Sequence, residues 1–322
     1  MKAAVRDRYG PPEVVRVAEV DTPVPKDGQL LVRVRATTVN RTDCGFRAAR
    51  PWFIRGMTGL RRPRATVLGT EFAGRVAALG TGVSGFAVGQ RVFGWSGPPF
   101  GAHAEYLTVP AAGPVAAVPE GVADEQAAPG TEGAHYAMAM LTRAKVGAGS
   151  SVLVNGATGG IGSAAVQLAR QLGAHVTGVC GGEHLDLVRG LGAERVIDYT
   201  AGDFTRDGQR YDAVLDAVGK SSFGRCRRLL APGGIYLSSE LGALAQNPLL
   251  ALAAPLWPGR TVGFPVPRIS QAMVASFSRL LAAGRFRPLV DRTYPLERIV
   301  EAYRYVESGR KLGNVLISVR PG

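Results

Sequence analysis

Cysteine, histidine and acidic residues are all scarce in this chain, and each scarcity excludes something. Three cysteines, Cys44, Cys180 and Cys226, are too few and too scattered among 322 residues to form a disulfide framework. They suit a reducing compartment, so a cytoplasmic protein is expected. The N-terminus, Met-Lys-Ala-Ala-Val-Arg-Asp-Arg, lacks the apolar core of a secretory signal. Long hydrophobic runs are missing as well. The most apolar stretch, Leu241–Trp257, is shorter than a bilayer span and is interrupted by Gln246, Asn247, Pro248 and Pro255. It reads as a buried or interface helix, and no membrane association is expected. Only 25 acidic residues stand against 38 basic ones, for a net charge of +13. No helix-turn-helix pattern, zinc-finger spacing or RNP-type aromatic motif accompanies that charge, which argues against nucleic acid as a partner. An arginine-rich composition and attraction of a phosphorylated cofactor account for it.

Glycine, by contrast, is abundant, with 43 residues, and 46% of the chain is hydrophobic. The composition is globular, and at this length two domains are expected rather than one core. The first third reads as strands: Lys2–Arg6, Val14–Val20, Leu30–Ala36 and Ala104–Val109 are β-branched or alternating runs separated by turn clusters. Glycines recurring from Gly69 to Gly94 suit a curved antiparallel barrel. From Ser151 the texture changes to alternating strands and helices. Val152–Asn155, Val176–Cys180, Arg195–Asp198, Ala213–Ala217 and Gly234–Ser238 are the strands; Ile161–Leu172, Leu185–Leu191 and a segment around Phe223–Leu230 are the helices. That alternation predicts an α/β domain with a doubly wound parallel sheet. Beyond it, Ile269–Ala283 and Leu296–Glu307 have helical period and Val315–Val319 is a closing strand. The expected layout is one domain from residues 1–120 and 265–322, with the α/β domain, 121–264, inserted between them.

The strongest local signal is Gly156-Ala157-Thr158-Gly159-Gly160-Ile161-Gly162, which follows a buried strand and opens a helix. The first glycine permits a sharp turn, the second lets backbone amides approach a diphosphate, and the third lets helix and strand pack closely. A tight packing turn without ligand is the plainer alternative. Three further β/α units follow, and the setting predicts a dinucleotide site. The end of the second strand reads Cys180-Gly181-Gly182-Glu183-His184, with no acid at the strand end to accept from a ribose 2′-hydroxyl. That favours NADPH over NADH, although Glu183 lies close by. Tyr199 and the distant Arg310 and Lys311 are candidate partners for a 2′-phosphate, and His184 for the adenine. Ala217, Val218, Ser238 and Ser239 end the fourth and fifth strands, where such crevices open.

Taken over nearly its full length, the sequence resembles the medium-chain dehydrogenase/reductase superfamily, most closely its zinc-free quinone oxidoreductase and enone reductase branch. The motifs are Thr37-Thr38-Val39-Asn40-Arg41-Thr42-Asp43, Gly69-Thr70-Glu71-Phe72-Ala73-Gly74, Val88-Gly89-Gln90-Arg91-Val92-Phe93-Gly94, Gly101-Ala102-His103-Ala104-Glu105-Tyr106, the glycine loop, Leu191-Gly192-Ala193, Val196-Ile197-Asp198-Tyr199, Ala231-Pro232-Gly233-Gly234 and Gly313-Asn314-Val315. The resemblance implies a GroES-like β-barrel catalytic domain, a Rossmann domain, an active site in the cleft between them, and a homodimer formed along the Rossmann sheet edge. It places Asn314 against the cofactor. The positions that match the catalytic zinc ligands of other branches are Asn40, Thr70 and approximately Thr131, and none offers a thiolate or imidazole. No metal is therefore expected.

Without a Lewis acid a plain ketone is hard to reduce, whereas hydride addition to an enone or quinone spreads charge into an enolate. Asn40 is a candidate donor to that oxyanion, or a turn residue at a strand end. Asp43 orients a neighbour or caps the following helix. The resemblance puts His135 near the nicotinamide, where it would protonate the enolate or simply stack. Phe46, Trp52, Trp95 and Phe264 are candidate walls of an apolar substrate pocket, with Leu241–Trp257 and Phe264–Pro267 shaping its far side. The leading expectation is an NADPH-dependent reductase of conjugated carbonyls or quinones. A zinc-free ketone/alcohol oxidoreductase and a non-catalytic NADPH sensor are the alternatives.

Overall fold

The computed structural model describes residues 1–97, 100–240, 242, 246–253, 259, 261–265 and 268–319. It divides into two compact units, Met1–Glu132 with Ile269–Gly322, and Gly133–Arg268. Residues 121–132 thus pack with the first unit, because the Glu71 carboxylate holds the backbone amides of Thr131 and Glu132.

In chain order the first unit contains β1 (Lys2–Val5), β2 (Arg16–Glu19), β3 (Gln29–Val39), α1 (Arg41–Ala48), α2 (Ile54–Thr58), β4 (Glu71–Leu79), β5 (Arg91–Trp95), β6 (Tyr106–Pro110), β7 (Val115–Ala117) and α3 (Asp124–Ala127). Helix α4 (Glu132–Arg143) leads into the second unit. There follow β8 (Ser151–Asn155), α5 (Gly160–Gln171), β9 (His175–Cys180), α6 (Leu185–Gly190), β10 (Arg195–Asp198), β11 (Tyr211–Asp216), α7 (Phe223–Cys226), β12 (Leu230–Ser238), α8 (Gln246–Ala253) and β13 (Thr261–Gly263). The chain then returns to the first unit with α9 (Gln271–Ala282), β14 (Val290–Pro295), α10 (Ile299–Glu307) and β15 (Asn314–Ser318).

The first unit is built on a seven-stranded sheet in the order β14-β15-β3-β4-β5-β7, with β6 also paired to β3. Strand β3 alternates, burying Leu30, Val32 and Val34, as a half-buried strand must. Helix α10 adds Ile299, Ala302, Tyr303 and Val306 to the same core, a single helical face at spacings of three and four. Burial of each such side chain is worth roughly 1.5–3 kcal/mol. The strands of the first third pair antiparallel, as expected, whereas β14 and β15 of the C-terminal segment run parallel. Two expectations need correction. The expected strand Val14–Val20 begins only at Arg16, because Pro12–Val14 forms a 3₁₀ turn with proline at its start. Strands β13 and β14 fall where none was expected, each too short or too polar to stand out.

The second unit is a six-stranded, all-parallel sheet ordered β10-β9-β8-β11-β12-β13. Strand β8 is buried from Val152 to Asn155 without alternation, as expected when helices cover both faces. The order reverses between β8 and β11, which makes that pair the topological switch point. The expected helix Phe223–Leu230 is α helix only to Cys226 and tightens to 3₁₀ over Arg227–Leu229. Within the apolar stretch Leu241–Trp257, positions 241, 243–245 and 254–258 lie outside the described residues. In α8, Asn247 is buried and donates to the Glu240 carbonyl, while Leu252 is exposed, so this helix is only partly covered. Among the described residues no helix is long and apolar enough to cross a membrane.

Candidate functional site

The glycine loop has the form that a dinucleotide requires. Strand β8 ends at Asn155, and Gly156 turns the chain with φ +79°, a left-handed conformation that side chains disfavour. A Cβ at Gly156 would also stand 2.3 Å from Val218 Cγ1. At Gly162 it would stand 2.0 Å from the Gly156 carbonyl oxygen, so the third glycine serves close packing of α5 on the turn. At Gly159 a Cβ would meet only that same oxygen, at 3.4 Å, which leaves its outer face open. The turn is pinned from below, where the Gly156 and Ala157 amides donate to the Val179 carbonyl. Ala157 is buried, while Thr158, Gly159, Gly160 and Ile161 are half-exposed at the N-terminus of α5. The Gly159 amide donates to the Gly156 carbonyl (3.0 Å), and the amides that follow it at the N-terminus of α5 fit a diphosphate.

At the end of β9, Gly181 and Gly182 enter a short 3₁₀ turn. A Cβ at Gly182 would lie 2.4 Å from Asp198 Oδ2 and would displace that carboxylate. Asp198, one strand over, is held by the Thr200 amide and hydroxyl, and these hydrogen bonds keep its carboxyl below the usual range. His184 pairs with Glu183 at 3.1 Å, and Tyr199 is exposed beside Gly181. At the ends of β11 and β12, Ala217 is half-buried, Val218 lies over Gly156, and the Ser238 hydroxyl exchanges hydrogen bonds with Glu240. The Ser239 hydroxyl is enclosed without a partner among the described residues.

Sequence reading missed the group that joins these loops. Asp216, fully buried at the end of β11, accepts from Asn155 Nδ2 (3.0 Å), Gly219 N (3.0 Å), Val218 N (3.4 Å), Ser221 N (3.0 Å) and the Tyr236 hydroxyl (2.9 Å). Its signal was a carboxylate closing the apolar run Ala213-Val214-Leu215.

The first unit holds a second polar cluster. Asn40 is the N-cap of α1: its Oδ1 accepts from the Asp43 amide (2.9 Å), and Asp43 Oδ2 accepts from the Asn40 amide (3.1 Å). Asp43 therefore sits at the third helical position and is not the cap itself. Its other oxygen is buried and unpartnered among the described residues, and burial pushes its pKa well up. Asn40 Nδ2 donates to Thr70 Oγ1 (2.9 Å), which leaves one amide hydrogen without a partner among the described residues. Thr131 donates its amide and hydroxyl to Glu71 Oε1 (3.1 and 2.9 Å), and Thr38 donates to Glu71 Oε2 (2.7 Å). Glu132 in turn accepts from Thr42 (2.5 Å) and from the Trp95 indole (2.7 Å). Burial raises the pKa of both glutamates, and the charge of Glu132 raises that of Glu71 further. His103 donates to the Thr38 carbonyl (2.7 Å), and burial holds its pKa down to about 4, so its ring is neutral.

Of the aromatic residues expected to wall a substrate pocket, Phe46, Trp52 and Trp95 belong to the first unit and Phe264 to the second. Phe46 packs edge-to-face on Phe100 (4.7 Å) against the core. Trp52 is 81% exposed in the turn before α2 and meets the ring of its neighbour Phe53 edge-on (6.5 Å). Trp95 is half-buried with its indole nitrogen committed to Glu132, and Phe264 is half-buried in the second unit. His135 is buried in α4 with its ring 4.7 Å from that of Tyr136. Lys311 and Asn314 belong to the first unit. The Lys311 ammonium donates to the Gly313 carbonyl, and burial lowers its pKa to about 8. Asn314 donates twice to the Leu289 carbonyl.

Comparisons with known proteins agree with this layout. Residues 26–120 match the alcohol dehydrogenase GroES-like domain, and residues 191–317 match a domain described as zinc-binding dehydrogenase. The chain is 33% identical over 314 residues to the trans-enoyl reductase pgmF of Aspergillus terreus, covering 90% of this chain and 86% of that protein. It is 30% identical to human quinone oxidoreductase, covering 96% and 94% of the two chains. The solved quinone oxidoreductase of Coxiella burnetii superposes with a TM-score of 0.89 at 26% identity over 99% of both chains. The positions that the resemblance sets against zinc ligands, Asn40, Thr70 and approximately Thr131, carry an amide and two hydroxyls, each hydrogen-bonded to its neighbours, a donor set that does not fit zinc. Relatedness along almost the whole chain, with a nucleotide-binding α/β unit and a GroES-like unit, makes this protein a member of the medium-chain dehydrogenase/reductase superfamily, an NAD(P)H-dependent oxidoreductase.

Proposed function

We propose that the protein is an NADPH-dependent, zinc-independent reductase of conjugated carbonyls or quinones. The observation that carries this reading is the Asn40 amide, fixed by the helix cap and by Thr70, with one N–H left over. A single rigid donor suffices for an enolate or quinol oxygen, whose charge is delocalised, but is a poor substitute for a Lewis acid at a plain ketone. NADPH supplies the hydride when bound. The backbone from Gly156 to Gly162 would hold its diphosphate, with Ala217, Val218, Ser238 and Ser239 beside the crevice. Gly181, Gly182, His184 and Tyr199 would surround the 2′-phosphate end, with Lys311 and Asn314 contributing from the closing segment. Preference for NADPH is supported by the lack of a carboxylate at the end of β9 and by the commitment of Asp198 to Thr200. Asn40 orients the acceptor oxygen, Asp43 fixes Asn40, and His135 delivers the proton. The protein works in the cytoplasm as a homodimer, a second copy pairing along the β13 edge.

The test is NADPH consumption by chelator-treated protein against enones, quinones and simple ketones, with NADH in parallel. Turnover of enones or quinones, indifferent to chelator and faster with NADPH, is expected, and His135→Ala should slow it while sparing NADPH affinity. Turnover of ketones alone would replace this reading with the ketone/alcohol oxidoreductase, and cofactor binding without any turnover would replace it with a sensor.

A further inference from the structure

We infer that Asp216 is the positioning residue for the nicotinamide half of the cofactor, acting through the two loops that flank the switch point. This rests on the dinucleotide reading of the glycine loop. Asp216 and Asn155 are register partners on β11 and β8, the strands between which the sheet order reverses. Ligands of such sheets bind outside the carboxyl ends of the strands at that reversal. With the diphosphate at the β8 glycine loop and the adenosine ribose toward β9, the nicotinamide half falls on the β11 and β12 side.

One carboxylate organises that side. Its Oδ1 takes Asn155, the residue immediately before Gly156, together with the amides of Val218 and Gly219. Its Oδ2 takes the Ser221 amide and the Tyr236 hydroxyl. The loop from Ala217 to Ser221 is thereby wrapped around a fixed anion. The Ala217 amide adds a bond to the Asn155 carbonyl (3.1 Å), and Val218 is set against Gly156. Both oxygens receive at least two donors, so an amide cannot replace the carboxylate. Whichever side its NH₂ took, at least one backbone amide, Ser221 or Val218 and Gly219, would meet a donor. The loop would then move, and with it the wall at Val218.

The test compares two ligands on the full chain by fluorescence titration, with the unaltered protein measured first. In Asp216→Asn, NADPH affinity is expected to fall about tenfold, the size of one lost hydrogen bond to a charged group. Adenosine 2′,5′-bisphosphate, which lacks the nicotinamide half, should bind within about twofold of the unaltered protein. The KM for the acceptor at saturating NADPH should not change. A variant that merely loosens the domain would lose both ligands together, and that result, like unchanged NADPH affinity, overturns the inference. If Asp216→Asn does not fold, Asn155→Ser serves, since it removes one donor and leaves the carboxylate. The same split is then expected at about threefold, and equal effects on the two ligands overturn the inference. Failure of the unaltered protein to bind either nicotinamide dinucleotide overturns the cofactor reading and this inference with it.

Discussion

Each unit contains a fully buried carboxylate saturated with hydrogen bonds, and the two are built differently. Glu71 draws its donors from far along the chain: Thr38, Thr131 and Glu132. Asp216 draws three of its five from the loop directly after it, Val218, Gly219 and Ser221. Glu71 also lies near a second buried carboxylate, Glu132, whose charge helps raise its pKa. A carboxylate with distant donors ties segments together and so acts on stability. One with local donors shapes a loop and so acts on what the loop contacts. The same chemical device, a buried anion in a strand, serves two ends according to the sequence distance of its partners.

The largest expected effect breaks the first half of that contrast. Glu71→Ala would strand two backbone amides and two threonine hydroxyls in the interior, and urea denaturation should show a loss of roughly 3 kcal/mol. A loss below about 1 kcal/mol would show that Glu71 does not hold its segments together. Next comes Asn40. Asn40→Ser keeps a side-chain oxygen for the helix cap and removes the amide donor, whereas Asn40→Ala removes both. Both should lower kcat toward conjugated acceptors about a hundredfold, while only Asn40→Ala should lose about 1 kcal/mol of stability. Equal kcat in Asn40→Ser and unaltered protein would confine Asn40 to capping.

The smallest effect concerns pH. His103 has a folded pKa of about 4 against an ordinary 6.5. Between those values the unfolded chain binds more protons, so this residue's contribution to stability rises with pH through that window and is lost as pH falls through it. Asp43, Glu71 and Glu132, with raised pKa values, act in the opposite sense. The folded state holds their protons longer, and stability falls as pH rises above their ordinary range. Comparing unaltered protein with His103→Gln isolates the histidine. The stability difference between them should grow by about 2.5 kcal/mol from pH 4 to pH 6.5. A flat difference would mean that the ring is charged inside the fold.

Much of this was legible in the chain itself. The glycine loop could be read because turn, close approach and packing each demand glycine at a set spacing next to a buried strand. The alternation after Ser151 could be read because parallel strands are continuous in hydrophobicity. The exposure of Trp52 could not, since an aromatic residue followed by Phe53 looks the same whether it is packed or faces solvent. Asp43 was misplaced by three positions in the cap, because Asn40 and Asp43 are both good capping residues and only backbone geometry separates the N-cap from the third helical position.

By itself, then, the sequence determined the two-unit architecture, the dinucleotide cradle and the absence of thiolate or imidazole at Asn40, Thr70 and Thr131. These follow from local spacing and from residue chemistry. Tertiary structure alone decided which polar groups meet: Glu71 with Thr131, Trp95 with Glu132, and Asp216 with Asn155 and Tyr236. The physical reason is that a buried carboxylate must be satisfied by whichever donors the fold brings to it. Those donors lie anywhere from 2 to 61 residues away along the chain, at distances no periodicity records.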